Sequence, residues 1–419
     1  MSNLKNNKSI CAALWTHFMV KPDGKIKPCC RFKTYKDEHS DDFFDMKLNN
    51  FENVEDIFNS DAFNKVRKKM LNGEMLSGCE KCYFEEKYSN YSMRTELNQI
   101  YNIDSLVEKN EYRLKYLENT FGNYCNLGCR TCNGGLSTTW QDDEKLLQNV
   151  INFRDTEDYE RVNVNFKWKS EDFLEVTEIK FTGGEPMLHP DFPKFLDTVI
   201  KSGSANKIEL HIFTNTSWVP KDKLISRLKK FKTAMICTSI DGFGSVNDYV
   251  RHGSNWNIVD ESLKTWLDYE KENSNITIAL NPTLNAYNVL SIPDLVEYFL
   301  RLRIERDLII KAKSVVFVYA SNPSYINLKV LPNRKKLVNN IKEKALTVIK
   351  DKKMTSNSLL RYDNVCKRIM QILLSDIDKV ENFDKFVKYT QSLDNIRNEN
   401  FEKAIPEIYN HIQHYGKIQ

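Results

Sequence analysis

Short apolar runs and amphipathic stretches alternate through the middle of the chain. Leu114–Thr120, Thr177–Thr182, Lys207–Phe213, Ala234–Ile240, Ile276–Leu280 and Ser314–Tyr319 have the length and composition of buried strands. Between them, Phe192–Lys201, Lys223–Lys230, Asp260–Tyr269 and Pro293–Leu302 carry apolar residues at helical spacing. Strand and helix in alternation predict parallel strands with crossover helices. Six such strands suit an α/β fold of the partial (β/α)6 TIM-like barrel type, short of the eight that close a full barrel. Residues 333–419 are expected to form a helical C-terminal extension, because Leu337, Ile341, Ala345 and Val348/Ile349 form one apolar stripe. Residues 1–110 hold few strand-like runs, a polar stretch Lys36–Asn50 and a short basic helix Phe63–Leu71 that stops at Asn72-Gly73. The expected organisation is a small cysteine-rich domain over 1–110, a barrel over 111–332 and the extension.

Composition narrows the class. With 419 residues, 41% hydrophobic and 28% charged, the chain can bury a large core. No apolar run approaches the ~20 residues of a membrane helix. Met1–Ile10 is polar and lacks an apolar signal segment, so a cytoplasmic location and no membrane partner are expected. The net charge of +4 is dispersed over 61 basic and 57 acidic residues, which speaks against nucleic acid as a partner.

Cysteine usage changes the picture more. Of ten cysteines, Cys11, Cys29, Cys30, Cys79, Cys82, Cys125, Cys129 and Cys132 lie in the first third. Such spacings in a chain without a secretion signal point to metal or redox chemistry ahead of disulfides. Cys237 and Cys366 stand alone and read as buried, small apolar residues. Asn123-Tyr124-Cys125-Asn126-Leu127-Gly128-Cys129-Arg130-Thr131-Cys132 has the spacing C-x3-C-x2-C and directly follows the first barrel strand. Three thiolates from one loop can hold three irons of a cubane and leave the fourth open, where a [4Fe-4S] cluster usually takes four cysteines. Zinc is the alternative, and it is usually held by two C-x2-C pairs.

The triplet resembles the signature of the radical S-adenosylmethionine (SAM) superfamily, and the resemblance extends over the barrel. It implies that Cys125, Cys129 and Cys132 bind a [4Fe-4S] cluster whose open iron chelates S-adenosyl-L-methionine. One-electron reduction, from a flavodoxin- or ferredoxin-like partner, would yield a 5'-deoxyadenosyl radical that takes hydrogen from a substrate. Thr131 stands where the family often has an aromatic residue. After the second strand, Gly183-Gly184-Glu185-Pro186 is similar to the GGEP motif that grips the methionine amine. His189 and Pro190 read as the start of a helix. Asn215, after the third strand, matches a polar turn near the cofactor. Ser239, Asp241 and Arg251 match residues that contact the ribose and methionine carboxylate; Asn281 and Asn285 lie where the adenosyl end would be.

A second thiol set precedes the barrel. Pro22-Asp23-Gly24-Lys25 reads as a hairpin turn between Trp15–Val20 and Lys25–Lys27, bringing Cys11 and Cys29 to neighbouring strand ends. Cys79-Glu80-Lys81-Cys82 can complete a four-thiolate site. This resembles the twitch (short SPASM-type) module, which implies an auxiliary [4Fe-4S] cluster at Cys11, Cys29, Cys79 and Cys82, with Cys30 a bystander. The module commonly follows the barrel; here it precedes it. A zinc knuckle is the alternative. The family modifies peptides or oxidises small molecules, so a peptide or small-molecule substrate is implied. Glu85, Glu86, Tyr88, Tyr91 and Arg94 suit either a substrate face or a helical linker. A non-catalytic iron–sulfur carrier and a zinc-bearing nucleic-acid binder are the readings from other classes.

Overall fold

The structure, a computed structural model, describes residues 7–34, 45–89, 91–109, 111–150, 161–375 and 382–415. Among the described residues there are ten strands: β1 (His17–Val20), β2 (Lys25–Lys27), β3 (Met46–Lys47), β4 (Tyr116–Asn119), β5 (Glu178–Phe181), β6 (Glu209–Thr214), β7 (Thr233–Thr238), β8 (Ile276–Leu280), β9 (Thr283–Leu284) and β10 (Val318–Tyr319). The first eight form one sheet in the order β3-β2-β1-β4-β5-β6-β7-β8. The expected α/β architecture, an open parallel sheet with crossover helices, is present. Two compact units divide the chain, one of Met1–Tyr124, Arg161–Ile212 and Arg227–Ala234, the other of Cys125–Glu160, Phe213–Ser226 and Met235–Gln419.

In the first unit the expected hairpin forms. Met19 pairs with Lys27 and Val20 with Ile26, antiparallel, around Gly24 at φ +78°. That left-handed conformation favours glycine. β1 also pairs in parallel with β4, His17 to Tyr116 and Met19 to Glu118, so the N-terminal hairpin extends the barrel sheet. β4, β5 and β6 continue in parallel. Strand alternation then sorts the side chains by face. Phe18, Leu117, Ile179 and Leu210 stand in one register row and are fully buried. Phe192, Phe195 and Leu196 of the helix Phe192–Lys201 are buried too. The other face is polar. Glu118 lies 3.4 Å from His17 Nε2 and 3.1 Å from Lys180 Nζ, and His17 stacks on Tyr116 at 4.2 Å. The helix Asp61–Leu71 covers the expected basic helix. Most of the polar stretch expected at Lys36–Asn50 lies outside the described residues; its end forms β3 and a short 3-10 turn.

The second unit carries β8 between the helices Trp256–Glu272 and Ile292–Glu305, whose buried faces include Leu263, Trp266, Leu295 and Phe299. The sixth expected strand differs. Only Val318–Tyr319 is extended, in a separate two-stranded sheet with β9, and Val315 makes a single bridge to Leu280. Val316, Val318 and Tyr319 are exposed while Val315 and Phe317 are buried, so the run buries one face yet touches the main sheet only at the Val315 bridge. The helix Arg334–Ile349 buries Leu337, Ile341, Ala345 and Val348 as its stripe predicts, and leaves Ile349 exposed. It packs against the helix Ser356–Leu374. Cys237 and Cys366 are buried. No helix among the described residues is long and apolar enough to cross a membrane.

One buried ion pair ties this unit together. Arg303 is unexposed, reaches both Glu270 oxygens at 2.8 Å, and donates to the carbonyls of Ile278 and Ile309 at 3.2 and 2.6 Å. Arg303→Ala strands the Glu270 carboxylate and is expected to cost about 3–5 kcal/mol of unfolding free energy. Urea unfolding followed by tryptophan fluorescence measures it.

Candidate iron–sulfur sites

The cysteine loop follows β4 and is pinned along its backbone. Gly128 N–H donates to the His252 carbonyl at 2.9 Å and Arg130 N–H to the Val250 carbonyl at 2.8 Å. The stretch Ser137–Trp140 holds it from another side. Thr139 Oγ1 donates to the Cys125 carbonyl at 2.8 Å, Ser137 Oγ to Leu127 at 2.7 Å, and Trp140 Nε1 to Cys129 at 2.6 Å. Sequence reasoning passed over these four residues, although a Ser-Thr-Thr run ahead of a helix is a capping signal.

The three sulfurs interact. Cys132 and Cys129 share a hydrogen bond, which holds the Cys129 thiol below its usual range against the effect of burial, with Arg251 adding to the lowering. Cys132 is pushed well up by the same bond and by burial, and it feels Cys125 as well. Two donors face the set. Asn215 Nδ2 lies 3.8 Å from the Cys125 sulfur and donates to Asn126 Oδ1 at 2.8 Å. Arg251 Nη1 lies 3.8 Å from the Cys129 sulfur. Hydrogen bonds to cluster sulfurs tune the potential of an iron–sulfur site.

Arg251 is itself oriented. Its Nε lies 2.9 Å from Asp241 Oδ2, and both side chains are buried. Asp241 Oδ1 accepts from the Thr283 N–H at 2.6 Å. Asp241 is therefore occupied by Arg251 and by backbone. Ser239 and Asn281 stand at the ends of β7 and β8, where their N–H groups donate to Thr214 and Thr238 at 2.8 and 2.9 Å. The Asn285 side chain is spent on its own turn, accepting from Tyr287 N–H and donating to Thr283.

Within the first unit the Gly183–Pro186 turn follows β5. Gly183 has φ +107°, and a Cβ on Gly184 would stand 1.9 Å from the Tyr124 carbonyl. The glycines thus have a reason inside the protein: only here can the turn press on the strand end that leads to Cys125. Glu185 N–H donates to that same carbonyl at 2.8 Å, and Pro186 opens a 3-10 turn. Glu185 is buried. His189 stacks on Phe121 at 5.1 Å and its Nδ1 accepts from Asp191 N–H, in keeping with a structural role at a helix start.

The N-terminal thiols also gather within this unit. Cys29 interacts electrostatically with Cys11, Cys30 and Cys79, and Cys11 with Cys82. Lys33 N–H donates to the Gly78 carbonyl at 2.9 Å, seating the Cys29 segment beside Cys79, and the Phe32 ring occupies the space next to Gly78. Arg94 Nη1 and Asn98 Nδ2 both donate to the Ile10 carbonyl, at 2.8 and 3.0 Å, fixing the residue before Cys11. Arg94 is paired with Glu86, so these two residues are structural supports of the thiol site. The Cys30 thiol faces Met93, 3.9 Å away, and Glu118. Among the described residues, no three His, Cys, Asp or Glu side chains meet in the arrangement that ligates a single metal ion. The thiolates of a cubane bind separate irons. Each thiol set is sulfur-only and its members lie within electrostatic reach of one another inside their own unit, which fits an iron–sulfur cluster.

A parallel α/β sheet with a three-thiol loop after one strand, and a four-thiol group before it, defines an iron–sulfur protein. Residues 119–296 match the Radical SAM superfamily and residues 11–83 match SPASM, an iron–sulfur cluster-binding domain. The chain thus carries a radical SAM domain with a SPASM-type domain ahead of it in sequence, and these domains support [4Fe-4S] clusters and S-adenosyl-L-methionine as cofactors. A search of curated proteins by sequence found no match. Among solved structures, the chain is similar to Streptococcus suis SuiB bound to S-adenosylmethionine, at 14% identity and TM-score 0.34, covering 79% of this chain and 67% of SuiB. It is also similar to SuiB bound to the precursor peptide SuiA, at 16% identity and TM-score 0.38, covering 83% of this chain and 73% of SuiB.

Burial governs the N-terminal thiols. Burial pushes the Cys11 thiol up to about 12, and raises Cys29 and Cys82. In the metal-free chain these thiols are protonated at pH 8, and iron binding needs them as thiolates. Loading must therefore release protons and tighten as pH rises. In a chain carrying Cys125→Ala, Cys129→Ala and Cys132→Ala, a pH-stat is expected to record proton release on adding ferrous iron and sulfide. Adding Cys11→Ser and Cys29→Ser should reduce it.

Proposed function

We propose that this radical SAM enzyme reductively cleaves S-adenosyl-L-methionine at a cluster on Cys125, Cys129 and Cys132, and takes hydrogen from a peptide or small-molecule substrate. The observation that carries this reading is the loop's thiol set: three coupled sulfurs from one segment, with N–H donors from Asn215 and Arg251 directed at two of them. When bound, the cluster supplies the electron that breaks the sulfonium and frees a 5'-deoxyadenosyl radical. Gly183, Gly184, Glu185 and Pro186 receive the methionine amine, a role that a buried carboxylate on a turn supports. Arg251, held by Asp241, receives the methionine carboxylate; Ser239, Asn215 and Asn281 offer polar partners to the ribose and adenine.

Cys11, Cys29, Cys79 and Cys82 hold the auxiliary [4Fe-4S] cluster. When bound there, it would take up the electron left on the substrate and make the net reaction an oxidation. The enzyme's reductant partner is a flavodoxin- or ferredoxin-like protein, and the enzyme works in the cytoplasm. The organisation follows 1–110, 111–332 and 333–419 as auxiliary, barrel and extension domains.

The test is anaerobic reconstitution followed by reduction with dithionite and assay of 5'-deoxyadenosine. The wild-type chain is expected to form it. Cys125→Ala, Cys129→Ala and Cys132→Ala together abolish it, whereas Cys11→Ala or Cys79→Ala leaves cofactor cleavage and stops substrate turnover. Bound iron without deoxyadenosine would identify an electron carrier, and zinc in place of iron would remove the reading altogether.

A further inference from the structure

The arginine inside the cysteine loop has no part in the reading above, and neither has the C-terminal extension. Arg130 has no exposed surface. Its Nη2 lies 2.5 Å from Asp394 Oδ1 and 2.5 Å from Glu399 Oε2. Nε donates to the Tyr249 carbonyl at 3.1 Å, and the guanidinium stacks 3.7 Å from the centre of the Tyr249 ring. The Arg130 carbonyl accepts from the Tyr389 hydroxyl at 2.9 Å. Tyr389 and Asp394 lie on the helix Phe383–Arg397, and Glu399 follows it.

The same segment reaches the loop twice more. Arg397 pairs with Asp143 at 2.8 Å and stacks 4.5 Å over Trp140, the residue that donates to the Cys129 carbonyl. Glu399 holds His252 Nδ1 at 2.7 Å, and the His252 carbonyl accepts the Gly128 N–H.

We propose that Arg130, Asp394 and Glu399 form a clamp through which the C-terminal extension positions the three-cysteine loop for cofactor binding; this rests on the assignment of that loop to the SAM cluster. An apolar group of similar volume would serve stability as well as a buried ion cluster does, so stability alone gives no reason for these charges. Direction does. A planar guanidinium between two carboxylates and stacked on a ring has one orientation. Residue 130 lies between Cys129 and Cys132, so its orientation sets where those sulfurs point. Losing both carboxylates leaves the guanidinium charge sealed from water, so the clamp depends on the two together. Arg130, Asp394 and Glu399 are positioning residues.

The experiment uses the full chain, reconstituted anaerobically, with S-adenosylmethionine as probe. Arg130→Met, Arg130→Lys and the pair Asp394→Asn with Glu399→Gln are compared with wild type. The readouts are iron per chain, the EPR line shape of the reduced loop cluster with and without the probe, and kcat and KM for deoxyadenosine formation. Arg130→Met is expected to raise KM for the probe about tenfold or more and to blunt the probe-induced EPR change. The carboxylate pair should reproduce this, and combining it with Arg130→Met should add little, as for residues acting as one unit. Arg130→Lys, which keeps the charge and loses the fork, should fall between. Wild-type KM and line shape in Arg130→Met overturn the clamp; if that variant fails to fold, wild-type behaviour of Arg130→Lys overturns it equally. A wild-type chain that binds iron but forms no deoxyadenosine sinks the assignment of the loop instead. The iron content and line shape of the variants still read the clamp in that case.

Discussion

A guanidinium sealed from water must have its charge cancelled where it stands, and at Arg130 that requirement is met by side chains from the far end of the chain. Asp394 and Glu399 supply the charge, and Tyr249 supplies a ring and a carbonyl. Around this point the loop's remaining anchors fall into place: Val250 and His252 on one strand connection, Ser137 to Trp140 on its own continuation. The sulfurs are displayed by a backbone held on several sides, and the donors Asn215 and Arg251 then have fixed targets. Preorganisation of this kind moves the work of shaping a metal site from the metal to the protein.

The N-terminal thiols obey a different physics. Their surroundings are dry, and burial dominates the Cys11, Cys29 and Cys82 thiols. In the loop, hydrogen bonding outweighs burial at Cys129. At Cys132 the same bond and burial both act upward, so only one thiol of the loop pair is favoured as thiolate. The support residues match this contrast. Arg94 and Asn98 pin the backbone before Cys11 and leave its sulfur alone, whereas Arg251 approaches a sulfur directly.

Much of this was legible in the sequence, because strand runs such as Thr177–Thr182 and Lys207–Phe213 are bounded by turns and fill a buried row at Ile179 and Leu210. The hairpin at Gly24 was legible for the same local reason. Three features were not. Parallel pairing of β1 with β4 joins residues about a hundred positions apart, and no local pattern encodes it. The run at Ser314–Tyr319 has strand composition and buries Val315 and Phe317, yet its extended end pairs with β9 outside the main sheet. Arg130 reads as a surface charge beside a cysteine until Asp394 and Glu399 are seen in three dimensions. The Gly183-Gly184 pair suggested close approach to a ligand; the structure gives at least one glycine a partner in the Tyr124 carbonyl.

The grip of the tail on the cysteine loop has a consequence for biosynthesis. Arg130 and Asp394 are 264 residues apart, and the chain leaves the ribosome N-terminus first. At roughly 5–20 residues per second, about 13–50 seconds separate the emergence of the loop from that of its clamp. The four thiols of the leading domain, by contrast, are all extruded within the first 82 residues. The thiols from Cys11 to Cys82 thus emerge together, whereas the Cys125–Cys132 loop meets its clamp only once Asp394 and Glu399 have been made.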